Sequence, residues 1–268
     1  MRQFGISFET TDFIEKPDLV DRVLKIVRDG VFDFVQLNAR MALPEFYDDI
    51  YASIKEKMIG IRAVIHAPFY LPPNYLGLNT SNKDELENNL KKLEFSQKCA
   101  DLLKSDIIVV HPGIGDDEEH INETIRQFQK MNDSRVTVEN LPYDPLGYLM
   151  HGARVENIKR IVEETNCKFC FDFAHSVCAA NSLKRDDIYG DFKQFCSLKP
   201  DIYHLSDGDF STNFDAHLHL GLGNYDIEKF IKEFTNEDSR IILETFNPEP
   251  TVDSWIKDAE FLKNLKLA

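Results

Sequence analysis

Six residues of metal-ligand type recur through the chain, each at the end of a short apolar run: His66, His111, Glu139, Asp172, His204 and Glu244. Three more stand just beyond two of them: His175, three residues past Asp172, and the pair Asp215 and His217. A single histidine or carboxylate at such a position is ordinarily a satisfied polar group; nine in register ask for another reason. Four carboxylates gathered in one place are strongly disfavoured as anions unless cations neutralise them. Imidazoles mixed with carboxylates suit zinc, manganese or iron better than calcium or magnesium, which prefer all-oxygen shells. Five histidines and four carboxylates exceed what one tetrahedral ion takes, so two or three ions are expected. The local spacings add detail. Asp172-Phe-Ala-His175 needs an immediate turn if both ligands are to reach one mouth. In Asp215-Ala-His217 an extended loop puts both on one side, and Gly221-Leu-Gly223 lets the chain turn tightly below them.

Elements able to position these residues follow from the pattern around them. Candidate strands fall near 4–8, 31–37, 61–66, 106–111, 135–139, 168–173, 201–206 and 240–245. Segments of helical character cover 18–29, 44–59, 83–104, 117–132, 154–165, 184–197, 226–235 and 251–266. A strand that feeds a helix and then another strand calls for parallel pairing. Eight such units predict an α/β fold, a single (β/α)8 barrel domain over residues 1–268, with the ligands at the C-terminal face where barrel enzymes place their chemistry. Pro17 and Pro44 stand at helix starts, and Gly30 follows the first helix as a cap. The loops after strands three, five and seven are the long ones.

Composition narrows the function classes. With 268 residues, 43% hydrophobic and 29% charged, and only 12 Gly and 11 Pro, the chain is of ordinary globular type, which excludes disordered and collagen-like readings. Its apolar stretches are strand-sized, too short to span a bilayer. The N-terminus runs into a strand without a secretory signal, so a cytoplasmic location is expected. Five cysteines, an odd number thinly spread, point to reduced thiols. A formal charge of −15 argues against general electrostatic capture of nucleic acid or anionic membrane. A phosphate-bearing partner must then be met by a local positive feature, which bound metal ions supply. No protein partner is inferred.

Other chemistry-bearing residues have blander readings. Cys167 and Cys170 stand three apart on the candidate sixth strand, so their thiols face opposite ways and cannot share an ion. Cys170 belongs to the barrel core, and Cys178 behaves as a small buried hydrophobe. His120 sits in a solvated acidic helix start. His151 is a candidate to line the substrate cleft, and His219 to touch phosphate or brace its loop.

The stretches His111-Pro-Gly113, Glu139-Asn140, Asp172-Phe-Ala-His175, His204-Leu-Ser-Asp207, Asp215-Ala-His217 and Glu244-Thr-Phe-Asn-Pro248 resemble the endonuclease IV family. These are the metal-dependent family-2 apurinic/apyrimidinic endonucleases, within the xylose-isomerase-like barrels. The resemblance spans nearly the whole chain. It implies one zinc ion on His66, His111 and Glu139, a second on Glu139, Asp172, His204 and Glu244, and a third on His175, Asp215 and His217, with manganese or iron as substitutes. It implies catalytic roles for Glu139 and Glu244. The implied partner is DNA with abasic sites, cut on the 5′ side to leave a 3′ hydroxyl and a 5′ deoxyribose phosphate. Arg40, Phe69 and Tyr70 are the nearest equivalents of residues that wedge into a duplex while the abasic nucleotide is flipped out.

Two stretches depart from the family pattern. Leu141-Pro-Tyr-Asp-Pro145, running on to His151, replaces a glycine-rich loop, and Ile114 stands where a serine is common. Residues 139–142, Glu-Asn-Leu-Pro, are also similar to sugar isomerase and epimerase relatives that use one divalent ion. Asp215-x-His217 separates these readings, because a single-ion isomerase has no need of it.

Overall fold

In a computed structural model that describes residues 1–39, 44–69 and 77–267, eight apolar runs form parallel strands. They are β1 (Gln3–Glu9), β2 (Phe34–Asn38), β3 (Ala63–His66), β4 (Ile108–Val110), β5 (Val136–Glu139), β6 (Lys168–Asp172), β7 (Ile202–Leu205) and β8 (Arg240–Leu243). Each pairs with its sequence neighbours, and β8 returns to β1, with Gln3 opposite Arg240 and Ile6 opposite Leu243, closing the barrel.

The helices outside the barrel are α1 (Asp12–Glu15), α2 (Pro17–Arg28), α3 (Tyr47–Lys57), α4 (Leu86–Leu103), α5 (Glu118–Met131), α6 (Val155–Thr165), α7 (Phe173–Ser182), α8 (Ile188–Cys196), α9 (Ile227–Phe234) and α10 (Val252–Asn264). All eight expected strands and all eight expected helical segments are present, the sixth helix starting later than expected at Ile188. Among the described residues none of these helices is long and apolar enough to cross a membrane.

Two helices lie outside the expected segments, the single-turn α1 and the longer α7. Phe173, Ala174, Val177, Cys178, Ala179 and Ala180 are buried together with His175 and Ser176, so the sequence of α7 lacks the polar stripe that marks a surface helix. It packs in an aromatic sector: Phe173 lies 4.8 Å from Phe171, 5.4 Å from Phe192 and 5.2 Å from Phe230, ring centre to ring centre. Truncating one of these buried rings to alanine costs roughly 3–5 kcal/mol, so the packing beneath Asp172 and His175 contributes strongly to stability.

Strand alternation sets the height of the ligands. Phe34, Val64, Val109, Cys170, Ile202 and Ile242 share the barrel interior. Two residues on, facing the same way, come Gln36, His66, His111, Asp172, His204 and Glu244. One apolar layer therefore underlies one polar layer. Gly5 makes room in the lower layer, because a Cβ there would lie 2.7 Å from the Phe34 ring.

Candidate metal centre

Ligand atoms of the nine expected residues converge in three groups, within each of which the atoms lie no more than 4.8 Å apart. The groups are His66, His111 and Glu139; Glu139, Asp172, His204 and Glu244; and His175, Asp215 and His217. Glu139 belongs to two of them. Its Oε2 is 3.2 Å from Nε2 of His66 and 3.2 Å from Nε2 of His111, and its Oε1 is 2.9 Å from Nδ1 of His204. In the outer group, Asp215 Oδ2 lies 3.1 Å from His175 Nε2 and 2.8 Å from His217 Nε2.

Strands deliver the inner ligands, and one helix and a loop deliver the outer ones. His66, Glu139 and Asp172 are terminal residues of β3, β5 and β6, while His111 and Glu244 stand one residue past β4 and β8. His175 comes from the first turn of α7, where Asp172 caps the helix by accepting the His175 amide at 2.7 Å. That cap is the immediate turn the three-residue spacing required. Asp215 and His217 come from the loop between β7 and α9.

The imidazoles are aimed by their outer nitrogens. Nδ1 of His66 donates to the Ala67 carbonyl at 2.7 Å, that of His175 to Asn140 at 2.8 Å, and that of His217 to Glu244 at 2.9 Å. A carbonyl can only accept, so each bond keeps a proton on Nδ1 and turns Nε2 inward as a potential ligand. His204 is reversed: its Nε2 donates to Gln36 Oε1 at 3.0 Å and its Nδ1 faces the carboxylates. Gln36 in turn donates to Glu244 Oε1 at 2.5 Å. Sequence reasoning passed over Gln36, although a glutamine facing inward on an otherwise apolar strand was the available signal. Asn140 is a second such residue. It donates to the Asp172 carbonyl at 2.8 Å and accepts the Asp172 amide at 2.7 Å, locking the end of β5 to the end of β6.

Charge is unevenly shared. Burial works to raise the Glu139 carboxyl, yet His204 and His111 outweigh it and hold it well below the ordinary range. Asp172 is pushed up to about 6, by burial first and by Glu139 and Asp215 beside it. Burial opposes protonation of His217, but Asp215 overcomes it and lifts the imidazole to about 9. Asp172 Oδ2 and Asp215 Oδ1 are buried with no hydrogen-bond donor. Oxygens left bare in a low-dielectric pocket are costly unless a cation meets them, and the mixed nitrogen and oxygen donors suit zinc. The residues present therefore fit bound divalent ions.

Cys170 lies directly beneath, its sulfur within 4.8 Å of ligand atoms of Glu139 and His204. Burial pushes its thiol up to about 12, which suits the core role expected of it. All five cysteines are free.

Above the ligands opens a cavity of about 470 Å³, a volume suited to a small ligand or one nucleotide unit. Phe69, Leu141, Pro145, Met150, Phe214 and Phe246 supply apolar wall. Phe69 stacks on His111 with centres 5.4 Å apart and stays 44% exposed. Arg40 and Tyr70, the other expected wedge residues, lie outside the described residues. His151 is not part of this wall. It is fully buried and its Nδ1 donates to the Gly115 carbonyl at 2.8 Å, because the backbone at Gly152 packs against Pro112 and Leu141; the neighbouring Met150 faces the cavity instead. The divergent loop is tied down by Asp116, which accepts from Tyr143 at 2.8 Å and from Arg154 at 3.1 and 3.0 Å. His120 is half-buried in the acidic first turn of α5, its Nδ1 2.6 Å from Asp117 Oδ1. His219 braces its loop through Asp258 at 2.6 Å. A larger groove of about 790 Å³ beside Lys83, His120 and Arg126 contains none of the nine ligands. Within it Arg126 pairs with Glu123 at 2.7 Å.

Comparison with known proteins is consistent with this geometry. The model of the xylose isomerase-like TIM barrel family matches residues 24–265. A probable endonuclease 4 of Halothermothrix orenii is 25% identical, over 92% of this chain and 93% of its own length. Among solved structures, an endonuclease IV from Thermus thermophilus superposes with a TM-score of 0.62 at 21% identity, covering 96% of this chain and 99% of that one. A D-allulose 3-epimerase from Methylomonas sp. superposes with a TM-score of 0.68 at 13% identity, covering 98% of both chains. At such identities the structural likeness establishes the barrel and does not choose between its chemistries.

Proposed function

The chain belongs to the xylose isomerase-like TIM barrel family, and from that premise we propose that it is a zinc-dependent phosphodiesterase that cuts DNA on the 5′ side of abasic sites. The reading takes residues 1–268 as one domain and places the protein in the cytoplasm. The observation that carries it is the outer group: His175, Asp215 and His217 converge beside the buried carboxylates, and a one-ion sugar isomerase would have no use for them.

Divalent ions bound to these groups would polarise the phosphoryl oxygens and neutralise charge on the attacking and departing oxygens. The protein's own part is orientation. Glu139 is fixed by imidazoles on both oxygens, Glu244 is anchored by Gln36, and Asp172 is locked to Asn140. The apolar wall of Phe69, Leu141 and Phe246 keeps bulk water from the reacting phosphate, which strengthens each electrostatic contact there. The half-exposed Phe69 ring stands where an unpaired stretch of duplex could stack, and a missing base lowers the cost of that insertion.

Zinc-loaded protein is expected to nick a duplex carrying one abasic analogue, leaving a 3′ hydroxyl, and to lose this activity to a chelator. Inertness toward that duplex together with epimerisation or isomerisation of a ketose would overturn the proposal in favour of the sugar-metabolising branch, in which Glu139 and Glu244 would act as the carboxylate pair.

A further inference from the structure

Asp207, three residues past His204, belongs to none of the ligand groups, yet it organises the loop that carries two of the three outer ligands, Asp215 and His217. Its side chain is almost completely buried. Oδ1 accepts the amides of Gly208 at 2.8 Å and Tyr225 at 3.1 Å, and Oδ2 accepts those of Gly221 at 2.8 Å and Gly223 at 3.0 Å. Hydrogen bonds to a carboxylate are stronger than neutral ones, and more so away from water. The glycines make this approach feasible. Gly221 has φ of +84°, and a Cβ on Gly223 would lie 2.3 Å from the Gly208 carbonyl and 2.4 Å from Asp207 Oδ1.

The backbone of Asp207 also exchanges both of its hydrogen bonds with Leu218, each at 2.9 Å. Leu218 is the residue after His217, and His217 sits in left-handed backbone with φ of +45°. A non-glycine residue holds that conformation only when its surroundings impose it. On the far side Asp258 takes over, accepting from His219 at 2.6 Å and from the Leu220 amide at 2.9 Å. The strained ligand thus stands between two buried carboxylates that hold its neighbours.

We propose that Asp207 is the positioning residue for the outer metal site, so that retention of the third ion depends on a carboxylate that touches no ion. This rests on the three-ion reading above. The inner ligands are carried by strand ends, which the sheet holds without help from this loop, whereas two of the three outer ligands, Asp215 and His217, ride on it, so the effect is selective. In Asp207→Asn one oxygen becomes an amide that faces backbone donors, and two of the four bonds are lost.

The test is titration of metal-free wild type, Asp207→Asn and Gly223→Ala with Zn²⁺ alone, counting bound ions and following competition with a chelator, alongside thermal unfolding. Gly223→Ala displaces the same turn without altering charge and stands in if the asparagine variant does not fold. Wild type is expected to bind three ions. Each variant is expected to bind two with unchanged affinity and the third about 10- to 100-fold more weakly. Equal weakening of all three ions would show a merely structural role and overturn the assignment, as would full retention of the third. Wild type that binds a single ion would instead refute the three-ion reading itself, and the assignment with it.

Discussion

The two ends of the barrel treat charge in opposite ways, although the same eight strands supply both. At the N-terminal ends the cationic side chains find acceptors at short range, most of them carboxylates. Arg240 forks onto Asp106 at 2.8 and 3.1 Å, Arg62 reaches Gln3 at 3.1 Å, and Arg135 grips Asp133 at 2.9 and 2.7 Å. At the C-terminal ends four carboxylates crowd together, two of their oxygens have no donor, and one ligand has left-handed backbone. The first arrangement neutralises its charges within the chain; the second gathers donor groups of a kind that fit divalent cations. A barrel can tolerate such a mouth because its other end and its outer helices supply the stability.

Substitutions at the mouth should cost activity and leave the fold intact, and the largest effect is expected at Glu139. Glu139→Ala removes the group common to both inner sites. It should lower kcat/KM for phosphodiester cleavage by about 10³-fold or more while circular dichroism still reports a folded barrel. Unfolding of that variant would show that the mouth is structural and erase the contrast. Asp215→Ala comes next, with a loss of about 10²-fold in phosphodiesterase activity. An unchanged rate would mean that the outer group has no part in the reaction. Gln36→Leu should weaken zinc at the inner site of Asp172, His204 and Glu244 by about 10- to 100-fold, read by chelator competition, because His204 and Glu244 both lose their anchor.

The smallest effect belongs to the opposite end. Hydrogen bonds from Arg135 hold the Asp133 carboxyl down at about 2, against an ordinary value of 3.8. Its folded-state pKa lies below the unfolded one, so the contribution is present above pH 4 and is lost as pH falls from about 4 to 2. Allowing for solvent screening, it amounts to about 1 kcal/mol. Urea midpoints of wild type and Asp133→Asn should differ at neutral pH and converge near pH 2, with activity per folded molecule unaffected.

How much could be read from the sequence depended on whether a residue's role was set by periodicity or by distant packing. The ligands at strand ends were legible because two-residue alternation and the eightfold strand–helix repeat put them on one rim. Helix α7 was not, since burial on every side removes the polar stripe. His151 looked like a cleft residue because its loop follows a ligand strand, but which side of a loop faces inward is decided by contacts such as Gly152 against Pro112. Gln36 and Asp207 were missed for a related reason. Their partners lie far along the chain, Glu244 for the first and Gly221 for the second, and nothing local marks the pairing.

The central claim is that nine side chains on one rim hold three divalent ions, and a zinc count tests it most directly. Metal-free protein should take up three equivalents at equilibrium, with at least the two inner ones retained on gel filtration. Saturation at a single equivalent would contradict the account.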